Sequence, residues 1–184
     1  MSKQVGDDIR ALRKSRGLTL KQMEKAIGRS AGWLSQIERG QVEPSIRDLS
    51  VIAEHFGLGI SFFFRSASRD EKEQGIVLRS PDRTRIGSED TGLAEELLSP
   101  CLSGAFEMIQ STFAPRSAYD GSIPAQDRED GGVLVSGQLT LVVEGEEFHL
   151  ETGDSFQFSN REYTWRNDGD VAAVVVWVVS PPVY

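Results

Sequence analysis

The sequence predicts two domains in series: a small all-helical domain, then an antiparallel β-barrel or double-sheet jelly roll. Three observations carry this prediction. Apolar residues recur with helical spacing up to about residue 64, and with strand spacing after about Gly75. Charge changes sign at the same place: 11 Lys and Arg against 7 Asp and Glu up to Ala67 (+4), then 9 against 21 beyond it (−12). Between the two parts runs "RSASRDEKEQG", Arg65 to Gly75, polar and without periodicity, which reads as a linker. The expected division is 1–66, 67–75 and 76–184.

In the first part, Val5, Ile9 and Leu12 follow an i, i+4, i+7 pattern, and Leu20, Met23 and Ile27 an i, i+3, i+7 pattern. Start signals repeat: Thr19 with Gln22 as a capping box, Ser30 before "AGWLSQIE", and Ser45 with Asp48 after Pro44. Glycines 17, 28, 40 and 57 mark stops. Five short helices are expected, at about 5–15, 20–26, 31–38, 46–56 and 60–64. Only "GRS" separates the second from the third, a turn tight enough to set them at a steep angle, as in a helix-turn-helix.

In the second part, "GAFEMIQSTFAP", "GGVLVSGQLTLVVEGEEFHLETGDSFQFS" and "AAVVVWVVSPP" alternate like strands, broken by the turns "VSGQ", "VEGEE" and "ETGD". The one other candidate helix is Leu93 to Leu98. No run of 18 apolar residues occurs and "MSKQVGDD" holds no apolar signal region, so a cytoplasmic protein with no membrane partner is expected. Cys101, the single cysteine, has no internal disulfide partner and no metal-type Cys/His spacing around it. Nor does any basic neighbour in sequence lower its pKa. His55 and His149 read as surface or boundary residues.

The stretch "IRALRKSRGLTLKQMEKAIGRSAGWLSQIERGQVEPSIRDLSVIAEHFGLGISFFF", with "LSQIERG" followed by "PSIRDL", resembles the DNA-binding domain of the phage-repressor-like (lambda-repressor-like), or XRE, family. That resemblance implies a double-stranded DNA operator as partner, with the third helix in the major groove. By position, Ala31, Gly32, Trp33 and Gln36 then face bases, Gln36 with an amide suited to adenine. Lys21, Arg29, Ser35, Arg39 and Arg47 fall where phosphates are contacted, and Ser30, the cap, belongs to the same DNA-binding set. Trp33 has two open readings, contact with DNA or packing on a neighbouring helix. The resemblance also implies that Arg13 and Glu38 form a structural ion pair.

The turn spacing of "GGVLVSGQLTLVVEGEEFHLETGDSFQFS", continued by "YTWRNDG" and "VVVWVVSPP", resembles the cupin barrel over about residues 76–184. Metal-binding cupins place three histidines and a glutamate in two motifs. Counting from Gly137 and Asn167 puts Asp130 at the glutamate position, two imidazole positions within Ile123 to Gln126, with Pro124 and Gln126 as the leading pair, and Tyr163 at the third. One carboxylate with an amide and a phenol is a poor set for a first-row metal, so no metal or other cofactor is expected, and no enzyme activity. The interior is either a filled core or a cavity for a small molecule, with Phe106, Met108, Gln126, Asp130, Tyr163 and Trp165 as candidate effector-binding residues. An acid among aromatic rings suits a cationic ligand.

Together the two halves resemble XRE–cupin transcription regulators, which implies a homodimer whose β domain senses a metabolite or serves dimerisation. Two alternatives remain open on sequence alone: a cupin enzyme fused to a DNA-binding domain, and a regulator whose β domain only dimerises.

Overall fold

A computed structural model describes residues 2–64, 72–73, 75–86, 92–102 and 104–183. The chain clusters into two compact units, Met1–Ile86 with Ser99–Ala105 and Pro182–Tyr184, and Gly87–Leu98 with Phe106–Pro181. Of the expected linker, 67–75, only residues 72, 73 and 75 lie within the described residues. No described helix is long and apolar enough to cross a membrane.

The first unit holds four α-helices: α1 (Ser2–Ser15), α2 (Leu20–Ile27), α3 (Ala31–Glu38) and α4 (Ile46–His55). Their starts are where the capping chemistry puts them. Thr19 accepts from the Gln22 amide and Ser45 from the Asp48 amide, and in both boxes the third residue answers back to the cap. The expected fifth α-helix, 60–64, is instead a 3-10 helix, Ile60–Phe64. So short a segment closes few i+4 bonds, and the tighter winding turns both Phe62 and Phe63 into the core. Ile9, Leu12, Met23, Leu34, Ile37 and Ile52 complete that core with no exposed surface. Burying each such side chain contributes roughly 1.5–3 kcal/mol.

A short strand, β1 (Thr84–Ile86), ends the first stretch of this unit. The second unit holds β2 (Leu93–Leu97), β3 (Glu107–Phe113), β4 (Ser117–Ala118), β5 (Glu129–Ser136), β6 (Gln138–Val143), β7 (Glu146–Glu151), β8 (Ser155–Ser159), β9 (Tyr163–Asn167) and β10 (Ala173–Ser180). The order is β2-β3-β10-β5-β8 in one sheet and β4-β9-β6-β7 in the other, with antiparallel pairing. Leu93–Leu97, the candidate helix, is a strand: Glu95 pairs with Ser111 and Leu97 with Ile109, so cross-strand partners override the helical propensity of "LAEEL".

The sheets face each other through Phe113 and Trp165, whose ring centroids lie 4.6 Å apart, and through Tyr163 and Trp177, at 5.8 Å. Among the described residues the hydrogen-bond ladders form these sheets without joining into one closed barrel. The chain passes from β5 in one sheet to β6 in the other at Gly137, with φ +83°. A Cβ there would lie 2.6 Å from the Ala172 carbonyl oxygen, so only glycine fits the corner.

Candidate nucleic-acid interface and effector site

The α2–α3 turn is built from three residues. Gly28 closes α2 in the left-handed region (φ +70°), Arg29 follows, and the Ser30 hydroxyl accepts from the Trp33 amide to open α3. On α3, Leu34, Ile37 and Glu38 turn into the core. Gly32, Gln36 and Arg39 are exposed, while Ala31, Trp33 and Ser35 are half-buried. Helical spacing sets Gly32 and Gln36 on one stripe, one turn apart, with Arg39 at the end of the helix. Lys21, in the first turn of α2, and Arg47, in the first turn of α4, are also exposed.

Arg29 is held rather than free. Its Nε donates to Asp48 Oδ1 at 2.8 Å, and its guanidinium carbon sits 5.2 Å from the centre of the Trp33 ring. Asp48 accepts at the same time from the Ser45 hydroxyl and amide. Burial pulls the Asp48 carboxyl upward, but the bonds from Ser45 and Arg29 outweigh it and hold the group below its ordinary 3.8. Trp33 is thus half-buried beneath a guanidinium that α4 anchors.

The candidate effector residues divide. Strand alternation turns Tyr163, Trp165 and Asn167 of β9 inward, and on β5 it buries Asp130. On β3 the inward set is Glu107, Ile109, Ser111 and Phe113. Met108 therefore lies on the opposite face, and Phe106, just ahead of the strand, is half exposed. The parity that would set those two among lining residues is the wrong one for β3. Trp165, two residues further along β9 than Tyr163, is buried against Phe113, a packing position.

Gln126, Asp130 and Tyr163 do converge, and the residue joining them is Arg128. Its Nε donates to Asp130 Oδ2 at 3.0 Å, its Nη1 to Gln126 Oε1 at 3.1 Å, and its Nη2 reaches Tyr163 Oη at 3.5 Å. Both partners of the Arg128–Asp130 ion pair are about nine-tenths buried. The Ser111 hydroxyl donates to Glu95 Oε1 at 2.7 Å. Burial raises the Glu95 carboxyl above its ordinary value, against the opposing pull of that hydrogen bond and of the Arg128 charge. Burial, then the charge of Asp130, drives the Tyr163 phenol well above its usual range, so it stays neutral. Phe158 and Trp177 flank Tyr163 at 5.1 and 5.8 Å. Beside this cluster a cleft of 460 Å³ is lined by Leu141, Val143, Phe148, Leu150, Phe156 and Phe158, among others.

Arg128 was legible in "PAQDRED" no further than its i+2 spacing to Gln126 and Asp130; Glu95 and Ser111 had no signal until β2 and β3 were paired. A resident metal does not fit here. A guanidinium stands inside the donor set, paired to its single carboxylate, and no imidazole occupies the remaining positions. Among the described residues no three His, Cys, Asp or Glu side chains converge as a metal site.

Residues 4–60 match the family described as a helix-turn-helix domain, and residues 112–179 the one described as a cupin domain. The transcriptional regulator ClgR of Mycobacterium tuberculosis is 31% identical over 100 residues, spanning 54% of this chain and 89% of that protein. The HTH-type transcriptional regulator PuuR of Escherichia coli is 27% identical over 154 residues, 82% of this chain and 80% of PuuR. In structure, hydroxypropylphosphonic acid epoxidase from S. wedmorenis aligns over 96% of this chain and 97% of its own, with TM-score 0.50 and 14% identity, a likeness of fold alone.

Proposed function

The chain belongs to the helix-turn-helix transcriptional regulators and carries a cupin domain, and from that premise we propose that α3 reads an operator while the space between the cupin sheets receives a small-molecule effector. The observation that supports the DNA half is the exposed stripe of α3: Gly32 for close approach, Gln36 for a base edge, Arg39 for a phosphate. Lys21 and Arg47 extend the phosphate contacts from α2 and α4, and the stacked Arg29–Trp33 pair adds a rigid shoulder beside them. In this reading, 1–66 binds DNA, 67–75 links and 76–184 senses.

One short helix with few base-reading side chains selects a site poorly alone, so the working form is a homodimer on two half-sites, about 34 Å or a multiple of it apart. An effector that binds one arrangement of the dimer better shifts the population toward it, and operator affinity follows. The polar cluster around Arg128 is where the effector binds. Without a metal-competent donor set at that place, the epoxidase-like fold supplies no reason for an oxygenase reading.

The test is a thermal-shift screen of the full chain against metabolites, followed by operator binding with each hit. A hit that raises the melting temperature and changes operator affinity supports the reading. Hits absent throughout, with operator binding intact, would reduce the β domain to a dimerisation module.

A further inference from the structure

We propose that Arg128 is a tethered stand-in for a cationic ligand, so that an alkylammonium effector binds Asp130 by displacing the Arg128 guanidinium; this rests on the effector reading above. Three observations combine. Asp130 is 4% exposed, yet its Oδ1 has no hydrogen-bond donor among the described residues, while Oδ2 holds Arg128. A buried carboxylate oxygen left unbonded forfeits its hydration without recompense, so the arrangement with Arg128 in place is satisfied only in part. Phe158 pairs with Asp130 across the β5–β8 ladder and packs on Tyr163, which packs in turn on Trp177, so aromatic rings of the kind that favour a cation lie beside the carboxylate.

Asp130 already has its match in Arg128, while burial biases the neighbouring Glu95 toward its neutral form. A second cation beside Arg128 meets repulsion at close range; one that replaces it leaves the local charge unchanged. An ammonium is also smaller than a guanidinium and carries three donors on one nitrogen, enough to reach both oxygens of Asp130. Arg128 has somewhere to go. It precedes β5, and its neighbours Asp127 and Glu129 are exposed, as is Gln126, its partner on the open side. Displacement therefore moves a long side chain at the end of a loop, while the strand that carries Asp130 stays paired with β8 and β10.

A ligand that competes with a tethered group binds with its intrinsic affinity reduced by the fraction of time the tethered group is out. Calorimetric titration of the full chain with n-propylammonium, and separately with propionate, tests this. Arg128→Gln should bind n-propylammonium at least about ten-fold tighter than the natural chain, and Asp130→Asn should lose that binding. Arg128→Lys, which keeps the charge and serves if the Gln variant fails to fold, should bind no tighter than the natural chain. Weaker n-propylammonium binding in Arg128→Gln overturns the proposal, as does propionate binding that the substitution removes, since Arg128 would then be an anion receptor. If metabolites of other chemistry bind while n-propylammonium binds neither protein, this proposal fails and the effector reading survives. If nothing in the broad screen binds, both fail.

Discussion

Arg13 on α1 grips Glu38 on α3 with two hydrogen bonds, Nε to Oε1 at 2.6 Å and Nη2 to Oε2 at 2.8 Å, while its remaining Nη1 donates to the Leu18 carbonyl at 2.7 Å. The pair is largely buried, and it ties the last residue of α3 to the first helix. Truncating either side leaves a buried charge uncompensated. Glu38→Ala should therefore destabilise the first unit by about 3 kcal/mol in urea denaturation at neutral pH. A loss well under 1 kcal/mol would mean that the fork is a surface contact in solution.

Asp48 completes the capping box of α4 and anchors Arg29 at once, so Asp48→Asn should cost more than Ser45→Ala, which removes the cap alone. About 1–2 kcal/mol is expected for the Asn variant at pH 7. The carboxyl is depressed in the folded chain, so its contribution is present above the ordinary 3.8 and disappears as pH falls below it. Denaturation midpoints of the two proteins should converge on going from pH 7 toward pH 3. A gap that stays constant would show that the charge of Asp48 is not what matters.

Glu95 titrates in the opposite sense. Its folded value is raised above 4.5, so the folded chain holds the proton more tightly than the unfolded one, and stability is lost as pH rises through the folded value. Glu95→Gln keeps the neutral form's shape and its acceptor for Ser111. Its stability relative to the natural chain should improve between pH 4.5 and pH 8, read from urea midpoints at each pH; a relative decline over that range would refute the assignment.

In the proposed reading Gln36 meets a base and Arg39 a phosphate, and binding should separate them. Gln36→Ala should weaken binding to a specific site by roughly 1–3 kcal/mol and leave non-specific binding nearly unchanged. Arg39→Ala should weaken both and reduce the salt dependence. Gel shifts at two or more salt concentrations distinguish the patterns, and no loss in either variant would remove α3 as the reader.

The helical half was legible because its signals are local. Thr19, Ser30 and Ser45 each lie within three residues of the amide they cap, so the start of each helix is written beside the helix itself. Strands from β5 to β10 were legible from alternation and from the turns that break it. What escaped depends on pairing. "LAEEL" has helical propensity, and only its ladder with β3 makes it β2 and brings Glu95 to Ser111. Phe106 and Met108 were assigned by parity along a strand whose inward phase is set by Glu107 and Ile109. Arg128 looked like one charge in a polar loop, because the partners that bury it come from β5 and β9.

The most direct test of the central claim is selection of DNA sites by the full chain from a randomised duplex library, repeated with Gln36→Ala. The account predicts enrichment of a two-fold symmetric site, with half-site centres about 34 Å or a multiple of it apart, and a changed or lost consensus for the variant. Failure to enrich any sequence, or an identical consensus from both proteins, would contradict it.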